Sequence, residues 1–567
     1  MFKRICFFIL LFTFPAVAQT NIPGLPSPTN PLSSSFLSLV EEPDVSSPTG
    51  FKAKKATLGQ VATYVLNGAT AAIPATPNPG VVVPSGVAGT ANVLSATSAF
   101  DSWYCNTIGY AIVRTTGAWT CSKSITANPV WWGADPTGTT DSAAAFNSAL
   151  AASSSVAFPA GKFKFLSQIS YAVASGASLN ISGAGADNTI LTWPTGNGIS
   201  LSLSSPKQSF HIRDVSITSG ASPGGSGLIV TSSSTSVTSN SDVSNVSFRG
   251  DDWGGNVGAG TQYWTYGINI TTQDQISFFN DIFIGGPALS GTGIAIVGNN
   301  PVYAFADLVA NSTFINLNYG INLGDFTQGL LVTNSSFSGQ HGIEYIIANG
   351  INCCLSVVGS EFNDTVSGIR TASTAPFYTY QITNNLFFIP ANAVGISITH
   401  DGGGNITGNN FQPGAGGGAT GQTAIAIASS SSNFGASIVG NTIYFLANGV
   451  VLTTGSANAV VQGNIITSTT NPMTFISSTN NRVEGNIGYN PVGISNGAYA
   501  PASTVTYTAG FSPETHYLTG GTVTAVKIPA NVGQTVCTTT PCTVSLGPNE
   551  GMSITYTVAP NDLKSVH

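Results

Sequence analysis

The chain has 567 residues, of which only 7% are charged, and its formal net charge at pH 7 is −7. That length is sufficient for several domains and a large core. The acidic balance argues against a nucleic-acid-binding protein, which needs a basic surface. The 42% hydrophobic content argues against a disordered chain, because disordered segments have too few apolar residues to form a core.

The first 18 residues resemble a secretory signal peptide. Lys3 and Arg4 precede an apolar run from Ile5 to Phe14, and Ala16–Ala18 matches a cleavage site. We therefore expect a secreted protein, extracellular or attached to the cell envelope. No other apolar run reaches the roughly 18 residues of a membrane helix, so no membrane span is predicted.

Six cysteines follow the signal peptide, and an even number in a secreted chain favours disulfides. Cys537 and Cys542 bracket a short turn that a disulfide could close. Cys105 and Cys121 flank a second predicted hairpin, within an extended and β-rich N-terminal region at 19–125. Cys353 and Cys354 are adjacent, and the sequence leaves their pairing open.

A short helix is predicted from Ala143 to Ala152, with Thr140 as its N-cap and Asp141 at the positive end of its dipole. Because it directly precedes a repetitive region, the helix is expected to cap the open end of that region.

The segment around this helix, from Trp132 through Phe165, resembles the opening of the pectate-lyase-like superfamily domain. That family includes secreted polysaccharide-degrading enzymes and bacteriophage tailspikes. Its Gly-Asp-Gly element is altered here to Ala134-Asp135-Pro136-Thr137-Gly138, and Phe163 replaces the usual Tyr. The resemblance implies a parallel β-helix and, through the tailspikes, a homotrimer. The motif is structural and assigns no catalytic residue.

A phrase of six residues then recurs: apolar, any, Asn/Gly/Asp, small or Asn, any, Phe/Ile. Its alternation is typical of strands, and its third position suits a turn through positive φ. We therefore predict an all-β protein whose central domain, at 126–492, is a right-handed parallel β-helix of about eleven coils. The fourth positions, 22 to 35 residues apart, are Val215, Val246, Asp281, Ser312, Ser335, Ser360, Asn385, Asn409, Asn441, Asn464 and Asn486.

A second pattern, Gly-apolar-any-apolar, follows most phrases and predicts a column of outward side chains on successive coils. The column contains Asn269, Ala295, Asn322, Glu344, Arg370, Ser397 and Val451. Glu344, Asp325, His341 and Arg370 are the candidate catalytic residues, with Asn322 beside them as a binding residue. Glu344 and Asp325 could provide the two separated carboxylates of an inverting glycosidase. The alternative is an exposed salt bridge between Glu344 and Arg370, and Arg370 is expected to lower the pKa of Glu344.

Three long consecutive spacings, of 31, 35 and 31 residues between Val215 and Ser312, place extra loops on adjacent coils. One loop contains Asp251, Asp252, Trp253, Tyr263 and Trp264, whose carboxylates and aromatic rings suit sugar binding. The alternative is a packed loop in which Asp251 and Asp252 cap a turn. Asp281 is interpreted as a turn residue.

Residues 493–567 alternate apolar and polar and are predicted to form a small β-sandwich. The predicted function is binding and cleavage of an extracellular polysaccharide, by hydrolysis rather than β-elimination, without cofactor or metal. The alternatives are a non-catalytic glycan-binding adhesin, a prophage tailspike-like receptor-binding protein associated with a virion, and a structural solenoid with its aromatic residues packed inward. The preference for cleavage depends mainly on analogy of fold.

Overall fold

The computed structural model describes residues 37–43, 51–56, 102–105, 110–115, 118–122 and 126–566. The last range has short gaps at 206, 233–239, 256–259, 272–274, 299–303, 306, 348–351, 374–376, 416–419, 431–434, 454, 468, 477–478, 490–493, 498–501 and 531. The predicted signal peptide lies outside the described residues.

Two small sheets are described in the N-terminal region. Strands Leu37–Pro43 and Phe51–Ala56 pair antiparallel. A separate three-stranded sheet contains Ser102–Cys105, Tyr110–Thr115 and Ala118–Ser122.

The central region is a right-handed parallel β-helix of about 12 coils, against about eleven expected from the phrase. Its strands form three parallel ladders, which we name A, B and C. Ladder A contains Thr137–Asp141, Gly161–Lys164, Thr189–Trp193, Ser216–Ser219, Ser247–Gly250, Ile282–Ile284, Thr313–Ile315, Ser336–Ser338, Glu361–Phe362, Leu386–Ile389, Asn410–Pro413, Thr442–Tyr444 and Ile465–Thr467.

Ladders B and C complete each coil. Ladder B contains Ile169–Ala172, Ile199–Leu203, Gly224–Ser232, Trp264–Thr271, Thr292–Val297, Tyr319–Leu323, His341–Ile347, Ser367–Ser373, Val394–Asp401, Thr423–Ser430, Asn448–Leu452 and Asn471–Phe475. Ladder C contains Ser155–Ala157, Ser178–Ser182, Ser209–Arg213, Ser241–Ser244, Ile276–Phe279, Leu308–Ala310, Leu331–Thr333, Asn352–Val358, Phe377–Thr383, Asn405–Thr407, Ser437–Val439, Val460–Gln462 and Arg482–Glu484. Two short strands, Ala304–Phe305 and Thr327–Gln328, pair beside ladder C.

The turn from ladder C to ladder A is the recurring phrase. Its third position has a left-handed backbone, with φ between 49° and 68°, in every coil that carries the phrase. Asn, Asp and Gly tolerate that conformation better than other residues. The predicted turn is therefore confirmed at Asp214, Asn245, Asn280, Asn311, Asn334, Gly359, Asn384, Gly408, Gly440, Gly463 and Gly485.

The fourth position forms a buried ladder of side chains. From Asn385 onward each backbone N–H donates to the side-chain oxygen of the next coil, as at Asn409 to Asn441 (2.9 Å). The amide nitrogen of Asn409 also donates to that oxygen (3.0 Å) and to the carbonyl of Ile382 (2.8 Å). These bonds satisfy polar groups that would otherwise be buried without partners.

The sixth position fills the core with stacked rings. Seven phenylalanines lie one above another, with centroids 4.7 to 5.1 Å apart and planes within 11° of parallel. Burying each ring contributes about 1.5–3 kcal/mol. The stack contains Phe248, Phe283, Phe314, Phe337, Phe362, Phe387 and Phe411.

The predicted helix spans Ala143–Ala152 and buries Phe146 and Leu150 among its apolar residues. Its N-cap is Ser142, so the expectation of Thr140 was wrong. Thr140 lies within the strand Thr137–Asp141 instead and donates to the carboxylate of Asp135. Hydrogen bonds from Thr137, Thr139 and Thr140 hold the pKa of Asp135 below its usual range.

The C-terminal residues form two four-stranded antiparallel sheets that contribute to one hydrophobic cluster. Cys537 and Cys542 are joined by a disulfide, as are the adjacent Cys353 and Cys354 in the β-helix. The side chains of Cys105 and Cys121, for which a disulfide was expected, lie outside the described ones. One sheet contains Ile494–Gly497, Glu514–Thr519, Cys542–Leu546 and Asn561–Val566, and the other Thr506–Thr508, Thr522–Ile528, Gln534–Cys537 and Gly551–Val558.

Candidate functional site

The outward column on ladder B has the register that the sequence predicted. Glu344 lies opposite Asn322 on one side and opposite Arg370 on the other. One further member, Ala426, lies between Ser397 and Val451. The Gly-apolar-any-apolar pattern did not identify it, because Ala424 replaces the usual glycine.

Glu344 is buried, although the sequence suggested an exposed sheet face. Its side chain is 3% exposed, and its Oε1 lies 3.5 Å from the Nε of Arg370, whose side chain is 40% exposed. Among the described residues, none forms a hydrogen bond to Oε2. Burial raises the pKa of Glu344 and outweighs the opposing charge of Arg370. The expectation that Arg370 would determine the direction was therefore wrong.

His341 is buried beside Glu344. Its ring stacks on Tyr319, with centroids 5.2 Å apart, and its Nδ1 lies 2.7 Å from Ser367 Oγ. The same nitrogen is 3.8 Å from Glu344 Oε2. Burial, assisted by the positive charge of Arg370, lowers the pKa of His341 to about 4. We name Tyr319, Asn322, His341, Glu344, Ser367 and Arg370 the Glu344 cluster.

Sequence reasoning missed Tyr319 and Ser367. Both are register partners of His341, in the preceding and following coils. A second column of side chains, defined by His341 and the equivalent positions in the neighbouring coils, would have included both residues.

Asp325 follows the ladder B strand of the preceding coil. Its backbone carbonyl accepts a hydrogen bond from Gly298 (2.9 Å). The register places the strand Tyr319–Leu323 next to the strand that contains Glu344. That Asp325 and Glu344 form a catalytic pair remains a prediction.

The carboxylates of the predicted aromatic loop, Asp251 and Asp252, bind groups of the protein itself. Asp251 forms an ion pair with Lys162 (2.7 Å). Asp252 accepts backbone hydrogen bonds from Thr261 (2.6 Å) and Gln262 (3.1 Å). Burial would raise the pKa of Asp252, but these hydrogen bonds lower it overall. Asp252 therefore fits the alternative of a carboxylate that caps a turn.

The aromatic residues of this loop differ in exposure. Trp264 is 3% exposed, and its Nε1 donates to the carbonyl of Ile217 (3.0 Å). Its assignment as a sugar-stacking residue was wrong, because the ring lies within the core. Trp253 is half-buried beneath the guanidinium of Arg249, 5.1 Å from the ring centroid. Tyr263 is also half-buried, against Gly286.

A cluster that sequence reasoning did not find lies in the C-terminal sheets. His516 is buried between Asp562 (2.7 Å) and Glu514 (3.2 Å). Lys564 and Tyr507 also contact Glu514. Burial favours the neutral imidazole, but the hydrogen bonds that His516 donates to the two carboxylates, and their negative charge, raise its pKa overall. Only the fold revealed this cluster, because its members come from three separate strands.

Within the described parts of the chain, no three His, Cys, Asp or Glu residues form a group that could hold a metal ion. Among the same residues, no helix is long and apolar enough to cross a bilayer.

No protein-family profile matches the chain, and no curated protein matches it. Several solved structures are similar in shape. The A-module of mannuronan C-5 epimerase AlgE6 from Azotobacter vinelandii aligns with a TM-score of 0.44 at 16% identity, over 64% of this chain and 100% of that one. The catalytic unit of a GH87 α-1,3-glucanase from Streptomyces thermodiastaticus gives 0.33 at 14%, over 65% and 69%. The gp42 tailspike of Acinetobacter phage vb_AbaP_AS12 gives 0.39 at 10%, over 73% of each chain.

Proposed function

We propose that the protein binds and cleaves an extracellular polysaccharide at the Glu344 cluster, by glycoside hydrolysis. The observation that carries the proposal is the buried carboxyl of Glu344, whose pKa is raised by burial. A carboxyl with a raised pKa retains its proton closer to neutral pH, as a general acid must. Glycoside hydrolysis needs such an acid to protonate the leaving oxygen.

The neighbouring residues have supporting roles in this proposal. Asp325 is the second carboxylate, which would activate water. His341, neutral above a pKa of about 4, can donate or accept a hydrogen bond to a sugar hydroxyl. The half-exposed guanidinium of Arg370 and the amide of Asn322 would orient the chain of sugars.

Hydrolysis is favoured over β-elimination because the sequence offers few bases. No lysine occurs between Lys207 and Lys527, and the guanidinium of Arg370 already faces Glu344. An arginine base would have to lose a proton from a group of very high pKa.

A non-catalytic glycan-binding protein is the second candidate, either an adhesin or a receptor-binding protein of tailspike type. The observation that favours it is the 3% exposure of the Glu344 side chain. A general acid must come within hydrogen-bond reach of the leaving oxygen, and a buried carboxyl would need a local movement to do so.

The test is incubation with neutral and acidic polysaccharides, with reducing ends and the ultraviolet absorbance of unsaturated products followed together. We expect new reducing ends without absorbance. Glu344→Gln should lower the rate about 10²–10⁴-fold, the usual contribution of a general acid, and Asp325→Asn should also lower it. The matched control is Glu361→Gln, an exposed carboxylate on ladder A.

Other outcomes would contradict the proposal in distinct ways. A rise in both signals would establish β-elimination. Retention on an immobilised glycan without either signal would favour the non-catalytic binder. Full activity in Glu344→Gln would place the reaction elsewhere.

A further inference from the structure

Ladder C carries a cavity that contains no residue of the Glu344 cluster. Its volume is about 520 Å³, within the range of roughly 300–1,000 Å³ typical of small-ligand sites. It is lined by Thr379, Tyr380, Gln381, Gly402, Gly403, Gly404, Asn405, Gly435, Ser437 and Asn458.

Glycines expose backbone at the cavity. A Cβ on Gly404 would lie 2.5 Å from the ring of Tyr380, and a Cβ on Gly435 would lie 2.2 Å from the backbone of Asn458. Gly403 has a left-handed φ of 97°. Larger residues at these positions would collide or be strained, so the backbone that lines the cavity can pack this closely only as glycine.

A buried carboxyl holds the glycine segment in place. Asp401 accepts hydrogen bonds from the N–H of Gly403 (2.8 Å) and from the hydroxyl of Tyr380 (3.0 Å). Burial raises the pKa of Asp401 despite these hydrogen bonds. The segment is therefore fixed by a carboxyl whose charged form is disfavoured.

The remaining lining side chains are amides and hydroxyls arranged in rungs. Gln381, Asn405 and Ser437 occupy equivalent positions in three successive coils, which are about 4.8 Å apart. Gln381 and Asn405 are exposed, and Thr379 and Asn458 add further polar atoms. Amides and hydroxyls offer both donors and acceptors, which matches the hydrogen-bonding capacity of sugar hydroxyls.

We infer that this cavity is a second carbohydrate-binding site, which holds an uncharged, hydroxyl-rich glycan without cleaving it. None of the described side chains exposed in it carries a charge, so it offers no counter-ion to a uronate or sulfate group. The inference goes beyond the proposed function, because it concerns a different ladder and needs no catalytic group.

The test is affinity electrophoresis in native gels that contain a soluble neutral glucan, a galactomannan or an anionic alginate. Glu344→Gln serves as the background, so that cleavage cannot remove the probe. We expect retardation by at least one neutral polysaccharide. The additional changes Gln381→Ala and Asn405→Ala should weaken that binding about tenfold, the effect of losing two hydrogen bonds.

The matched control is Gln462→Ala, an exposed amide on the same ladder outside the cavity. It should bind like the background protein, and circular dichroism should show that all variants are folded. The inference fails if no neutral polysaccharide retards the protein, if only alginate does, or if the double variant and the control bind equally. Because the background lacks Glu344, none of these outcomes depends on whether the protein cleaves glycans.

Discussion

Asp281 occupies the fourth position of the recurring phrase, where later coils have Ser or Asn. Its side chain is buried. Its Oδ1 accepts the N–H of Val246 (2.9 Å), while no described group bonds to Oδ2. Burial raises the pKa of Asp281 well above its usual range. The interpretation of Asp281 as a turn residue agrees with this position, but the sequence did not reveal the cost of a carboxyl there.

Asp281→Asn should therefore stabilise the protein at neutral and alkaline pH by about 1–3 kcal/mol, the usual penalty for an unsatisfied buried polar group. The new amide could donate to the carbonyl of Val243, as Asn409 does to Ile382. Because the folded-state pKa of Asp281 is raised, its contribution to stability is present below the unfolded pKa and is lost as pH rises towards the folded one.

Urea denaturation from pH 4 to pH 9 checks this expectation. The difference between variant and parent should shrink as pH falls. Glu361→Gln, at an exposed position, should change stability by less than about 0.5 kcal/mol at any pH. A constant difference across the pH range would show that the carboxyl of Asp281 does not titrate as argued.

At the scale of the element, the stack of phenylalanine rings is the main apolar feature of the coils. Phe337 is 1% exposed and lies between Phe314 and Phe362. Phe337→Ala should lower the free energy of unfolding by about 3–5 kcal/mol, through lost burial and the remaining cavity.

Phe337→Ile is the matched comparison, because Ile443 and Ile466 occupy the same position in later coils. It should cost clearly less than the alanine variant in chemical denaturation. Equal losses would mean that the ring stack itself, and not its volume, holds the coils together.

The C-terminal sheets bury His516 between the carboxylates of Asp562 and Glu514. The pKa of His516 is raised, so its stabilising contribution is present below the unfolded pKa and is lost as pH rises through the folded one. The pKa of Glu514 is lowered to about 2, where burial is outweighed by hydrogen bonds and Lys564. Its contribution is present above the unfolded pKa and is lost as pH falls towards 2.

Between pH 6 and pH 9, the melting temperature of His516→Gln should therefore fall less steeply than that of the parent protein. Calorimetry at several pH values would measure this. Tyr517→Phe, at an exposed position of the same strand, is the control and should leave the decline unchanged. A decline as steep in His516→Gln as in the parent would assign the pH dependence to another group.

The sequence predicted the elements in which a backbone conformation or a core position strongly favours one type of residue. Asn and Gly mark the left-handed turn, and Phe marks the core position, so the coils and their register could be derived. The burial of Glu344 and Trp264 could not, because burial depends on which groups cover a side chain. The spacing around Trp264 is also irregular, which removed the register that identified inward positions elsewhere.

At the scale of the whole molecule, the last coil of the β-helix contacts the C-terminal sheets. Phe475 packs against Phe511, with ring centroids 5.1 Å apart. The N–H of Val483 donates to the carbonyl of Phe511 (2.6 Å), and Asn549 donates to the carbonyl of Asn481 (2.8 Å). These contacts cover a strand edge that could otherwise pair with another chain.

Deletion of residues 498–567 should therefore produce a protein that aggregates in proportion to its concentration. Light scattering at several concentrations would detect this. In the full chain, Phe511→Ala should weaken the end contact and give partial aggregation, whereas Val532→Ala, at an exposed position in the same region, should not. A monodisperse truncated protein would show that the end of the β-helix protects itself.

The regular stacking also makes a coil a removable unit. Deleting residues 386–409 would join Asn385 to Asn410 in phase, bring Phe362 and Phe411 into adjacent layers, and leave the Glu344 cluster intact. The same deletion would remove Gly402–Gly404 and, with them, the cavity on ladder C. In such a fold a lineage could gain or lose one ligand by duplicating or excising a coil, without altering the residues that serve the other.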